Sequence, residues 1–161
     1  MVQLKGALTA SRGRLLENSH AGAPVHAGSH LRKREMAIEA ELLKSPAEFG
    51  RIFVHEVFHF VWLRLGNRLR RSYEALVAGE IAGGARGELG WSAESRKQSL
   101  KARDSAARSR RWREYVCESF CDTAAWVYAP PQQHPEHTLA RRWSVRRRRW
   151  FQQLGGRPLR I

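Results

Sequence analysis

The stretch "RIFVHEVFHF", residues 51–60, decides how this chain is read. Apolar, aromatic and β-branched side chains fill most of it, yet His55, Glu56 and His59 interrupt it at H-E-x-x-H spacing. Just upstream, Ser45-Pro46-Ala47-Glu48 has the form of a helix start. Ser stands at the N-cap, Pro at the first helical position, and Glu three residues on closes a capping box. The spacing of Phe49, Ile52, Phe53, Val57, Val61 and Leu65 predicts a helix that stops at Gly66-Asn67. On it, His55 and His59 share a face one turn apart, and Glu56 lies about 100° round the axis. Burying two imidazoles and a carboxylate in so apolar a helix is costly unless each group is paired. An ordinary core helix with hydrogen-bonded histidines is one reading. A divalent metal satisfies the groups more simply: two neutral imidazoles on one face can hold Zn2+, and the adjacent carboxylate can act as a base on water.

The composition sets the bounds. At 161 residues, with six Trp and six Phe, the chain is long enough for one domain with its own core. No run of about 18 apolar residues lacks charge, so no membrane span is expected. Lys5 and Arg12 are followed by no uninterrupted apolar region, so no secretory signal is expected. Cys117 and Cys121 are the only cysteines, and two thiols at i,i+4 do not make a disulfide framework. A reducing, cytoplasmic setting is the expectation. The net charge of +14 is concentrated: residues 96–113 hold eight Lys or Arg against one acid, Asp104, and residues 139–161 hold eight Arg and no acid. Such stripes can bind phosphate backbones. Without zinc-finger spacing, an RNA-recognition signature or a helix-turn-helix, solvated arginine faces are the favoured reading, and weak nucleic-acid binding through the basic helices remains a second role.

Residues 1–30 are rich in Ala, Gly, Ser and His with no sustained period, and are expected to form a flexible, mostly irregular arm. His20, His26 and His30 fall there at loose spacing. The remaining residues, 31–161, form the expected folded domain. In "REMAIEAEL", residues 34–42, Met36, Ile38, Ala40 and Leu42 alternate with Glu35, Ala37, Glu39 and Glu41, the period of a half-buried strand. Residues 71–82 predict a second helix, glycines from Gly83 to Gly90 an irregular stretch, and residues 92–110 a basic, partly helical segment. Residues 110–131 predict a strong helix ended by Pro130 and Pro131. A final helix is expected from Leu139 to Leu154, with Leu139, Trp143, Trp150 and Leu154 as its apolar stripe and the stem of Arg146 across the tryptophans. The fold class is α+β, mostly helical, with a small sheet beside the H-E-x-x-H helix.

A catalytic zinc takes three protein ligands, and His55 and His59 supply two. Glu118, on the strongly apolar helix 110–131, is the favoured third. Asp122, one turn on, can accept a hydrogen bond from a ligand histidine and fix its tautomer. Glu80 competes for the third place but has no acid four residues on. Cys117 and Cys121 point about 100° away from the Glu118 face and are expected to be small buried thiols.

His55-Glu56-Val57-Phe58-His59 followed by Glu118-Ser119-Phe120-Cys121-Asp122 resembles the gluzincin branch of the zincin metalloproteases, which includes thermolysin-like and HtpX-like enzymes. The resemblance implies a small zincin-like metallopeptidase domain. His55, His59 and Glu118 would bind zinc, Glu56 would be the general base, and Asp122 would support His55. It further implies an edge strand that aligns an extended peptide or protein substrate. Tyr115, Tyr128, His134 and His137 are candidate donors to the oxyanion. The alternatives are a zinc-binding protein without peptidase activity and a nucleic-acid-binding regulatory protein that uses the Arg-rich helices.

Overall fold

The strand expected over residues 34–42 forms over its first part only, since Ala40–Lys44 turn into a short 3-10 helix that leaves Ala40 exposed, and it organises the N-terminal third. A computed structural model describes residues 1–11, 14–19, 22–129 and 133–154. The strand, β6, spans Glu35–Glu39. Its alternation buries Met36 and Ile38 and half-exposes the residues between them. The other strands are β1 (Val2–Lys5), β2 (Leu8–Ser11), β3 (Arg14–Glu17), β4 (Ala23–Val25) and β5 (Ala27–His30). They form two sheets of three strands. In one, β6 lies between a parallel β1 and an antiparallel β5. In the other, β2 lies between β3 and β4, both antiparallel.

Residues 1–30, expected to be a mostly irregular arm, thus carry five of the six strands among the described residues. The boundary expected at residue 30 falls inside a sheet. Strands of three or four residues are too short to show a period, and Ala, Gly, Ser and His give little strand signal of their own. Pairing with β6 supplies what local sequence lacks. One small sheet is expected from the sequence; two are found.

The helices follow the sequence more closely. They are α1 (Pro46–Arg64), α2 (Asn67–Ala82), α3 (Trp91–Gln98), α4 (Asp104–Ala107), α5 (Arg110–Tyr128) and α6 (Arg141–Leu154). Pro46 opens α1, but Ser45 makes no side-chain cap bond. The Glu48 carboxylate turns instead to Arg51 and His134, so the expected capping box does not close. The second helix begins four residues before the expected start, because Leu69 already packs against the core. Ser109 caps α5 by accepting from the Trp112 amide. Pro130 and Pro131, expected to end α5, lie outside the described residues, as do Gly155 and Gly156, expected to cap the last helix.

The α5 helix is the centre of the molecule. Trp112, Tyr115, Val116, Phe120 and Ala124 are buried on it, against Phe58 and Val61 of α1, Tyr73 and Val77 of α2, and Trp150 and Phe151 of α6. The sheet containing β6 packs on the other side of α1, where Met36 and Ile38 meet Phe49, Phe53, Val57 and Phe60. α1 is therefore apolar almost all round, which explains its nearly continuous hydrophobic sequence.

The α6 helix corrects one expectation. Its arginines are not all a solvated face. Arg146 is exposed with its guanidinium 5.3 Å over the Trp143 ring, as the apolar stripe implies. Arg147 is fully buried and bonds Glu80 at 2.7 and 2.9 Å and Glu88 at 2.6 and 3.2 Å. Lys97 and the Tyr115 hydroxyl also donate to Glu88. Among the described residues, no helix is long and apolar enough to cross a membrane.

Candidate metal centre

Where α1 crosses α5, the polar residues of both helices meet. His55, Glu56 and His59 come from α1; Cys117, Glu118, Cys121 and Asp122 come from α5. The outward Nε2 atoms of His55 and His59 are 3.2 Å apart. Glu118 Oε2 lies 3.3 Å from the first and 3.7 Å from the second. Donors about 2.0–2.2 Å from a tetrahedral zinc are about 3.3–3.6 Å from one another. The three atoms thus form a triangle of the size that one zinc ion requires. Two imidazoles and a carboxylate are also a chemically ordinary donor set for it.

The next layer is as ordered as the first. Asp122 Oδ1 is 2.7 Å from His55 Nδ1, and Asp122 Oδ2 accepts from the Ala93 amide at 2.8 Å. Asp122 is thereby held between α1 and the start of α3. Gly90 leaves room for it: a Cβ there would sit 2.5 and 2.6 Å from the two carboxylate oxygens. Glu56 is buried, and its Oε2 accepts from Ser29 Oγ at 2.6 Å. Ser29 lies on β5, so this bond ties the sheet to the site.

Electrostatics favour positive charge here. Burial pulls the His55 imidazole down, but the Asp122 carboxylate and, behind it, Glu118 and Glu56 outweigh that and hold it well above the ordinary range. Burial pushes Glu118 up, while the two imidazoles pull it further down, for a net lowering. Glu118 and Asp122 both meet the partly buried His55 ring, an environment that suits a cation.

The thiols are where the sequence reading fails. Cys117 and Cys121, expected to point away from the Glu118 face as small buried thiols, place Sγ 3.5 and 3.4 Å from His59 Nδ1. α1 lies across the groove between two faces of α5, so the His59 ring meets Glu118 with one nitrogen and the thiols with the other. The Cys121 thiol donates to Cys117, and with His59 beside it this lowers the Cys117 thiol to about 6, while burial pushes Cys121 well up. His55, His59 and Cys121 form a group able to hold a metal ion, with donor atoms all within 4.8 Å of one another. Two donor sets therefore share the histidines, one completed by Glu118 and one by Cys121.

Glu80, the rival third ligand, lies elsewhere, with its carboxylate bonded to Arg147. Of the candidate oxyanion donors, Tyr115 donates to Glu88, Tyr128 stacks on Phe58 and His134 pairs with Glu48. His137 packs beside His134. None of the four lines the cleft over the site. That cleft has a volume of about 300 Å3 and is bounded by His55, Glu56, Asp122, Arg51, Trp91 and Glu136, with residues 24–27 opposite. Arg51 is one helical turn before His55 on the same face, a position that the i,i+4 rule could have flagged. Ser29 had no signal in the sequence, because its role depends on β5 lying beside α1.

No family model matches the chain, and neither a curated protein nor a solved structure matches it. The character of the centre rests on its own donors and their surroundings.

Proposed function

We propose that this protein is a zinc-dependent peptidase of the gluzincin type, with His55, His59 and Glu118 as zinc ligands. The observation that carries the reading is the triangle of Nε2, Nε2 and Oε2 atoms with sides of 3.2, 3.3 and 3.7 Å, one corner of which, His55, lines a cleft together with Glu56. Bound there, zinc would polarise water and the scissile carbonyl.

The chain's own residues supply the rest. Glu56 takes a proton from the attacking water and delivers it to the leaving amine. Ser29 holds one Glu56 oxygen and so sets the direction of the other. Asp122 accepts Nδ1–H from His55, which keeps Nε2 free to act as a donor. Val25 at the end of β4 and Ala27 at the start of β5 line the cleft, and both strands are sheet edges among the described residues. An extended peptide can add to such an edge through main-chain hydrogen bonds. Trp91, 66% exposed at the cleft, offers an apolar surface for one of its side chains.

The test is Glu56→Gln, assayed for zinc content and for turnover of an unstructured protein substrate with and without a chelator. The variant is expected to keep its zinc and lose ~10²–10⁴-fold in activity. Turnover equal to that of the wild type would rule the mechanism out.

A further inference from the structure

Two imidazoles that both give Nε2 to one ion must each carry a proton on Nδ1, and a buried N–H needs an acceptor. For His55 that acceptor is Asp122. Among the described residues the groups on the Nδ1 side of His59 are thiols and not a carboxylate: Cys121 Sγ at 3.4 Å and Cys117 Sγ at 3.5 Å. The two cysteines are one turn apart on α5, so their sulfurs lie on the same face and flank the same ring nitrogen. Cys121 is fully buried and Cys117 half-buried, which limits the access of water to the N–H.

We propose that Cys117 and Cys121 are the positioning pair for His59, two sulfur acceptors that do for this ligand what Asp122 does for His55. The proposal rests on the zinc reading above and adds to it an asymmetry between the ligands. One histidine is oriented by a carboxylate that carries full charge. The other is oriented by two sulfurs, softer acceptors than a carboxylate. Geometry favours this role over direct ligation by sulfur. The thiols meet Nδ1, whereas His55 and Glu118 meet Nε2, and the two nitrogens of an imidazole point in diverging directions.

Zinc affinity of the full chain is measured by competition with a chromogenic chelator for the wild type, the C117A/C121A pair and the C117S/C121S pair, with circular dichroism to report folding. The alanine pair is expected to bind zinc ~10–100-fold more weakly than the wild type. The serine pair, whose hydroxyls can still accept from Nδ1–H, is expected to fall between them. A role in packing alone predicts the reverse order, since a buried hydroxyl is harder to accommodate than a methyl group. The wild type loaded with cobalt(II) is expected to lack an intense thiolate-to-metal charge-transfer band. Such a band would make sulfur a ligand and overturn the positioning role while leaving a metal centre in place. Equal affinity of the alanine pair and the wild type would overturn it too. Should the alanine pair fail to fold, the serine pair and the cobalt spectrum decide. A wild-type chain that takes up no zinc overturns this proposal together with the function it rests on.

Discussion

His55 and His59 differ by one helical turn and by everything around them. Each turns Nε2 toward the other and toward Glu118, but behind them stand a carboxylate and a pair of thiols. Roles at this scale separate cleanly by substitution. Glu118→Ala removes one corner of the donor triangle and is expected to cut zinc affinity sharply. Asp122→Ala leaves all three donors and releases His55, for an expected loss of ~10–100-fold. Glu80→Ala is expected to leave zinc affinity alone and to lower thermal stability, because it strips a partner from buried Arg147. Chelator competition and thermal melting of the three variants check this together. Retention of zinc by Glu118→Ala would hand the third place to Cys121.

At the scale of elements, α6 shows how a charge run can mislead. Four consecutive arginines, Arg146 to Arg149, read as a solvated face, yet every turn of an amphipathic helix returns at least one position to the buried side. Trp143, Arg147, Trp150, Phe151 and Leu154 are that side. Arg147 bridges Glu80 of α2 and Glu88 of the loop before α3, and so pins three segments to one another. Removing one partner of a buried ion pair leaves the other uncompensated. Arg147→Gln is therefore expected to destabilise the fold by about 3–5 kcal/mol. Arg149→Gln, at an exposed position of the same helix, is expected to change stability by no more than ~0.5 kcal/mol. Urea unfolding of both variants is the measurement, and equal midpoints would show that the network contributes nothing.

For the whole molecule, the net charge of +14 remains after the internal pairs are counted, because acids such as Glu74, Glu80 and Glu88 are already matched by Arg108, Arg147 and Lys97. Lys101, Arg103, Arg110, Arg111 and Arg113 are exposed along one stretch of chain. Duplex DNA is expected to bind weakly and without sequence preference at low salt, with log K falling by about 0.9 per neutralised phosphate for each tenfold rise in salt. A fluorescence anisotropy titration at several salt concentrations measures it. Tight, sequence-selective binding at physiological salt would place nucleic acid ahead of peptide as the partner.

Helix positions were legible because burial repeats every 3.6 residues: α1, α5 and α6 lie close to where their apolar spacing predicts them. The strand β6 was legible because it is long enough for its alternation to show. The placement of His55, Glu56 and His59 was legible for the same reason, since one helix fixes their spacing. What the chain could not reveal by itself depends on contacts between segments far apart in it. The short strands of residues 1–30 exist by pairing, with β6 as the template for two of them. Ser29 reaches Glu56 across a sheet–helix contact, and Arg147 finds its two carboxylates on other elements. The direction of Cys117 and Cys121 follows from where α1 lies on α5, not from their angle about their own helix. Local sequence determines which faces a helix has; tertiary packing decides what each face meets.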